Sequence, residues 1–152
     1  VDKIDRKILR VLQRDGRMKI ADLAEAVGLS ATPCARRLER LQTDGVITGY
    51  GARVDARKVG LPVTVFVSVE LETQGGVAMS AFEQSVRNFE EVMECHLMTG
   101  SRDILLRVVV ADLQAYDWFL EHRLMKVHGI RNMRSNFALR AMVQRDALPD
   151  TA

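Results

Sequence analysis

Few of the usual chemical signatures occur in this 152-residue chain. Its two cysteines, Cys34 and Cys95, stand far apart and outside any metal-ligand spacing. That excludes a disulfide framework and makes a reducing cytosol the expected setting. The three histidines, His96, His122 and His128, fall into no ligand or catalytic motif. There is no phosphate-cradling glycine loop and no nucleophile beside a base, so neither enzyme activity, a metal nor a cofactor is expected. No apolar run approaches the roughly 18 residues that a membrane span needs. The opening VDKIDRKILR is charged and amphipathic, unlike a secretory signal, so the expected location is cytoplasmic, with no membrane partner. With 47% hydrophobic and 28% charged residues, the composition is that of a folded globular protein and excludes a disordered one.

What is present is unevenly spread. The formal net charge is only +2, yet residues 1–60 hold 13 Lys and Arg against 8 Asp and Glu, whereas residues 61–152 hold 9 against 12. A basic front and a mildly acidic back suit a front that meets a polyanion, the alternative being ordinary scatter of surface charge.

Apolar spacing divides the front into three helices. Asp2 can cap the first, whose Ile4, Ile8, Leu9, Val11 and Leu12 share a face, and Asp15-Gly16 is its expected stop. A second helix, from about Ile20 to Val27, ends at Gly28. Ser30 is placed to cap a third that runs to about Thr43, with Pro33 in its first turn, where a missing N–H breaks no bond. Residues 46–54, VITGYGARV, look like a hairpin, and residues 55–62, with Gly60 and Pro62, like a linker.

Beyond the linker the period changes to two. Val63, Val65, Val67, Val69 and Leu71 alternate with Thr64, Phe66, Ser68, Glu70 and Glu72, the pattern of a strand. A helix over Ala78 to Asn88 follows, with Met79, Phe82 and Val86 on one stripe, then strands near 92–99 and 103–110. Asp112 caps a further helix presenting Leu113, Tyr116, Phe119, Leu120 and Leu124, and the last strand spans Ile130 to Met142. The order βαββαβ is ferredoxin-like, an antiparallel sheet with both helices on one face. In the strand ILLRVVV nearly every residue is apolar on both faces, while the helices cover one. Each uncovered Val, Leu or Ile forgoes roughly 1.5–3 kcal/mol, so the free face is expected to pair with a second copy.

The third helix, ATPCARRLERLQ, carries the clearest chemistry. Ala35, Leu38 and Leu41 are its expected core side, leaving Ser30, Ala31, Thr32 and Pro33 at its start and Arg36, Arg37 and Arg40 facing out. A helix fits the major groove of duplex DNA, arginine can bond guanine O6 and N7 together, and short residues at the helix start allow close approach to base edges. The competing reading is a solvated arginine face, which the surrounding three-helix arrangement disfavours. Cys34 is expected to be packed rather than reactive.

The segments DKIDRKILRVLQRDGR and LAEAVGLSATPCARRLERLQTDGVITGY closely resemble the leucine-responsive/asparagine-operon (Lrp/AsnC) transcription regulators, and VMECHLMTGSRDILLRV and HGIRNMRSNFAL resemble that family's sensing domain. The resemblance spans essentially the whole chain. It implies an α+β protein: a winged helix-turn-helix (1–54), a linker (55–62), a ferredoxin-like α/β sandwich that senses ligand and oligomerises (63–146), and a tail (147–152). It also implies dimers that assemble into octamers, as tetramers of dimers, with a free amino acid as effector. The effector would lie beside the Gly-x-x-Asp turn Gly100-Ser101-Arg102-Asp103, with Met98, Leu113, Met125, Asn136, Phe137 and Ala138 at family positions that affect the response and Ser135 beside them in the same site. An amino acid brings an ammonium and a carboxylate, which Asp103 and the N–H groups of the turn from Thr99 to Arg102 would suit. The alternative for Asp103 is a turn cap or a pair with Arg102 or Arg107, and for Met98 and Met125 plain core. Three departures from the common family pattern are Arg102, His128 before Gly129, and Ser135 in place of threonine. The expected function is a sequence-specific, effector-responsive regulator bound to double-stranded DNA; the alternative is an architectural DNA-binding protein without effector.

Overall fold

The computed structural model describes residues 1–73, 75–100 and 104–149, and the chain forms two compact units. One comprises Val1–Arg53 with Met142–Ala152, the other Val54–Ala141. The division differs from the expected one at the chain end, where residues from Met142 onward group with the front of the chain. No helix of the described residues is long and apolar enough to cross a membrane.

In the first unit, α1 (Lys3–Leu12), α2 (Ile20–Val27) and α3 (Ala31–Thr43) enclose Ile8, Leu23, Ala24, Val27, Cys34 and Leu41. Asp2 caps α1 through the N–H groups of Ile4 and Asp5, and the Asp5 carboxylate returns a bond to the Asp2 N–H, a reciprocal capping box. The stop of α1 is not glycine, as expected, but Gln13 in right-handed backbone. Gly16 serves for space, because a Cβ there would approach Tyr50 Cδ1 to 3.2 Å. Helix α2 does end at left-handed Gly28, with φ of 75°. Ser30 occupies the N-cap of α3 without a side-chain bond.

The expected hairpin at 46–54 is absent, since no residue there joins a strand ladder. Its groups bond elsewhere. Ile47 N–H donates to Leu41 O, Tyr50 Oη accepts from Gln42 Nε2 at 3.1 Å, and Arg53 Nη2 donates to Gln13 O at 2.7 Å. The chain end meets the same place: Leu148 N–H donates to Gln13 Oε1, and Asp146 pairs with Arg53 at 3.3 Å. The 55–62 segment holds a closed turn, with Leu61 N–H donating to Ala56 O.

The second unit follows the predicted order: β1 (Val63–Leu71), α4 (Gly76–Arg87), β2 (Val92–Leu97), β3 (Ile104–Val110), α5 (Leu113–His122), a 3-10 turn (Leu124–Lys126) and β4 (Ile130–Ala138). The strands form one antiparallel sheet in the order β2-β3-β1-β4. Val65, Val67, Val69, Leu106 and Val108 point at Phe82, Val86, Tyr116 and Phe119. Strand β4 stops at Ala138, short of the expected Met142, because its partner begins there: Thr64 opposes Ala138, and Pro62 has no N–H to extend the ladder. Leu113, expected on the buried stripe of α5, is instead 67% exposed at the helix start.

The open face of the sheet is mixed rather than uniformly apolar. Phe66 and Leu105 occupy its middle and the buried Val109 lies toward one end, while Glu94, His96, Arg107 and Arg134 frame them, as the pairings Phe66↔Arg107, Ser68↔Leu105, Thr64↔Val109, Ser68↔Arg134 and His96↔Leu105 require. Glu94 pairs with Arg107 at 2.7 Å and with His96 at 3.2 Å, and these partners, His96 foremost, hold its carboxyl below the usual range.

Candidate functional site

Helix α3 is oriented by two sets of contacts. Cys34, Leu38 and Leu41 turn inward, Cys34 fully buried with its thiol pushed up by burial. Ala35, expected on this side, is exposed, and Cys34 takes its place. The opposite side shows Ser30, Ala31, Thr32, Pro33 and Arg36 to solvent. Arg36 enters no ion pair among the described residues.

Arg37 and Arg40 behave differently. Both were expected to face out, yet their guanidiniums turn to the start of α1. Arg37 Nη1 bridges Asp2 Oδ2 at 2.5 Å and Asp5 Oδ1 at 2.8 Å, and Arg40 Nη2 reaches Asp5 Oδ2 at 2.7 Å. The cause is Asp5, a carboxylate only 1% exposed and therefore in need of cations. Burial acts to raise its pKa, but the Asp2 N–H and the Arg37 guanidinium outweigh burial and hold the carboxyl below its ordinary value. The Asp5 N–H and the Arg37 guanidinium lower the Asp2 carboxyl to about 2.

Sequence reasoning passed over Asp5, although a signal was there. Asp5, Ile8, Leu9 and Leu12 are spaced as one inward stripe, so an acid opens an otherwise apolar face. Such an acid demands partners, and Arg37 and Arg40, one turn apart on α3, satisfy it.

The expected effector residues are scattered. Ser101, Arg102 and Asp103 lie outside the described residues. Thr99 and Gly100 are exposed, Gly100 with φ of 106°, a backbone that favours glycine. Met98 and Met125 are exposed, not core. On β4 the four expected residues divide between faces. Ser135 and Phe137 sit opposite Val67 and Val65 on the helix side, whereas Asn136 and Ala138 sit opposite Phe66 and Thr64 on the open side. Ser135 Oγ is bonded to the Tyr116 hydroxyl, and Phe137 meets the Tyr116 ring edge-on at 5.2 Å. One pocket within a single chain therefore cannot gather all four.

Two surface clefts are distinct from that cluster. One, of about 530 Å³, lies between α4 and β2, with Phe82, Val86, Leu97 and Ile104 as apolar wall and Glu83, Arg87 and Glu94 at the rim. The other, of about 510 Å³ on α5, includes Leu113, the one expected effector residue among the described residues that lines either cleft.

Comparison with known proteins bears on both units. Residues 1–48 match the family profile "Winged helix-turn-helix DNA-binding", and residues 64–148 match "Lrp/AsnC ligand binding domain". The chain is 46% identical to the Bkd operon transcriptional regulator of Pseudomonas aeruginosa, over 98% of this chain and 97% of that one. Its fold superimposes on an AsnC family transcriptional regulator from Agrobacterium tumefaciens with a TM-score of 0.93 at 44% identity, covering 98% and 97% of the two chains. It superimposes on a transcriptional regulator from Neisseria meningitidis, solved as a complex with L-Met, with a TM-score of 0.92 at 36% identity, covering 98% and 96%.

Proposed function

The chain belongs to the Lrp/AsnC family of DNA-binding transcriptional regulators, and from that premise we propose how its own residues carry the work. The exposed start of α3, Ser30 to Pro33 with Arg36, enters the major groove. There Arg36 reads guanine or holds a phosphate while the short residues pass close to base edges. Two copies join through the open sheet face, centred on Phe66 and Leu105, and present two such helices to two half-sites. Dimers gather further, toward octamers, and a free amino acid binds where they meet, beside the turn that begins at Thr99-Gly100. Met98 and Met125, flexible and exposed, suit an aliphatic or thioether side chain, as does the L-Met bound to the Neisseria relative. No catalytic step, metal or cofactor is part of this reading, and its setting is the cytoplasm. Effector binding changes assembly or domain angle, which requires a coupling of only about 1–3 kcal/mol.

The observation that carries the reading is the division of α3 into an inward apolar side and an exposed, cationic start. The experiment is selection of duplexes from a random pool by the full chain, followed by comparison of selected and scrambled duplexes. A regulator prefers its site by about 10³-fold or more, whereas an architectural protein binds both alike. A thermal-shift screen of the free amino acids, L-methionine first, tests the effector. Gly100→Asp should abolish the shift and keep duplex binding; a retained shift would remove the turn from the site.

A further inference from the structure

Besides aligning α3, the buried carboxylate of α1 controls which cations the DNA-binding unit offers. Successive helix residues lie about 100° apart, so Arg40 projects only about 40° from Arg36, on the same outward side. Left to itself it would join Arg36 against the phosphate backbone. Asp5 draws it sideways instead, at 2.7 Å, and holds Arg37 at 2.8 Å beside it. With Asp2 the cluster has two acids and two bases and no net charge. The unpaired positive charge of α3 thus contracts to Arg36, next to the short residues of its start, although Arg40 stays half exposed.

We propose that Asp5 is a positioning residue that sets specificity: it withholds Arg37 and Arg40 from DNA phosphates, so that binding rests on the reading face rather than on sequence-blind attraction. This rests on the reading of α3 as the element that meets DNA. Phosphate contacts add affinity to any duplex, whereas base contacts add it to one. A regulator that must ignore most of a genome gains by having fewer of the first. Asp5 touches no DNA in this scheme; it acts through the two arginines.

The test uses the full chain and a mixed-sequence duplex, with affinity followed by fluorescence anisotropy as salt is varied. Each phosphate neutralised steepens the logarithmic salt slope by about 0.9. Asp5→Asn, which keeps size and removes charge, should bind the mixed duplex more tightly and steepen the slope by about 0.9 per DNA-binding unit, Arg40 being freed while Arg37 keeps its pair with Asp2. Arg40→Gln, which leaves the Arg37 pair on Asp5, should not alter the slope of the otherwise native chain. In the Asp5→Asn background it should take back that gain. A carboxylate with a merely structural role would weaken binding and leave the slope unchanged. An Asp5→Asn slope equal to wild type, or an Arg40→Gln slope shallower by about 0.9, would overturn the proposal. Should Asp5→Asn fail to fold, the Arg40→Gln slope decides alone. Arg36→Ala separates the two levels. If it leaves duplex affinity untouched, α3 is not the DNA-facing element and both ideas fall. If it weakens binding while the Asp5→Asn slope stays native, only the positioning role falls.

Discussion

The bond between Tyr116 and Ser135 ties α5 to β4, and its removal has a calculable cost. Tyr116 is 3% exposed, with its hydroxyl on Ser135 Oγ and its ring against Phe119 and Phe137. Burial raises its pKa more than the Ser135 bond lowers it, so the phenol stays neutral at physiological pH. Ser135→Ala strands the buried phenol, at a cost of about 1–3 kcal/mol, whereas Tyr116→Phe leaves a half-buried serine hydroxyl and costs less. Removing both partners leaves no stranded group, so the double variant should lose much less than the two single losses together. The expected coupling is about 1–2 kcal/mol. Trp118, the only tryptophan, lies on α5 two residues beyond Tyr116 and reports unfolding of this unit by fluorescence in urea. Additive losses would refute the bond as a stabilising pair. The same series tests function: with its hydroxyl committed to Tyr116, Ser135 has a packing role, so Ser135→Ala should keep the amino-acid affinity of the native chain. An abolished thermal shift with native stability would return Ser135 to the effector site.

Three further outcomes follow from the geometry. Arg36→Ala should weaken binding to a selected duplex by about 1–3 kcal/mol if Arg36 bonds a guanine, with no change in elution volume on a sizing column; equal affinity would exclude it from the reading face. The Asp2 carboxyl, lowered from 3.8 to about 2, stabilises the folded unit above the ordinary value and ceases to do so as pH falls through about 2. Urea midpoints followed by circular dichroism should therefore drop more steeply between pH 4 and pH 2 in wild type than in Asp2→Asn, and parallel curves would contradict this sign. Phe66→Glu places a charge at the middle of the open sheet face and should yield monomers by sedimentation at micromolar concentration, with native circular dichroism; an intact dimer would move the interface elsewhere.

Local patterns carried much of the fold. The second and third helices begin and end where their apolar spacing, Gly28 and Ser30 place them, and β1 alternates as its valines demand. The hairpin at 46–54 failed because its composition is compatible with several partners. The Ile47 N–H goes to Leu41 O, and the Tyr50 and Arg53 side chains bond Gln42 and Gln13, so the segment lies against the helices rather than on itself. The effector positions on β4 were named as a contiguous run, but period-two geometry turns Ser135 and Phe137 one way and Asn136 and Ala138 the other.

The chain's own order of residues determined the three front helices and the βαββαβ order behind them, which part is basic, and that α3 has an apolar side and a cationic one. Those properties depend on neighbours within a turn or two. Only the tertiary structure decided which cations α3 offers, because Arg37 and Arg40 find their acid more than thirty positions away, on a helix that must first pack against them. Burial supplied the deciding force: a carboxylate shut away from water takes whatever cations are within reach, and the packing of α1 on α3 determines which those are.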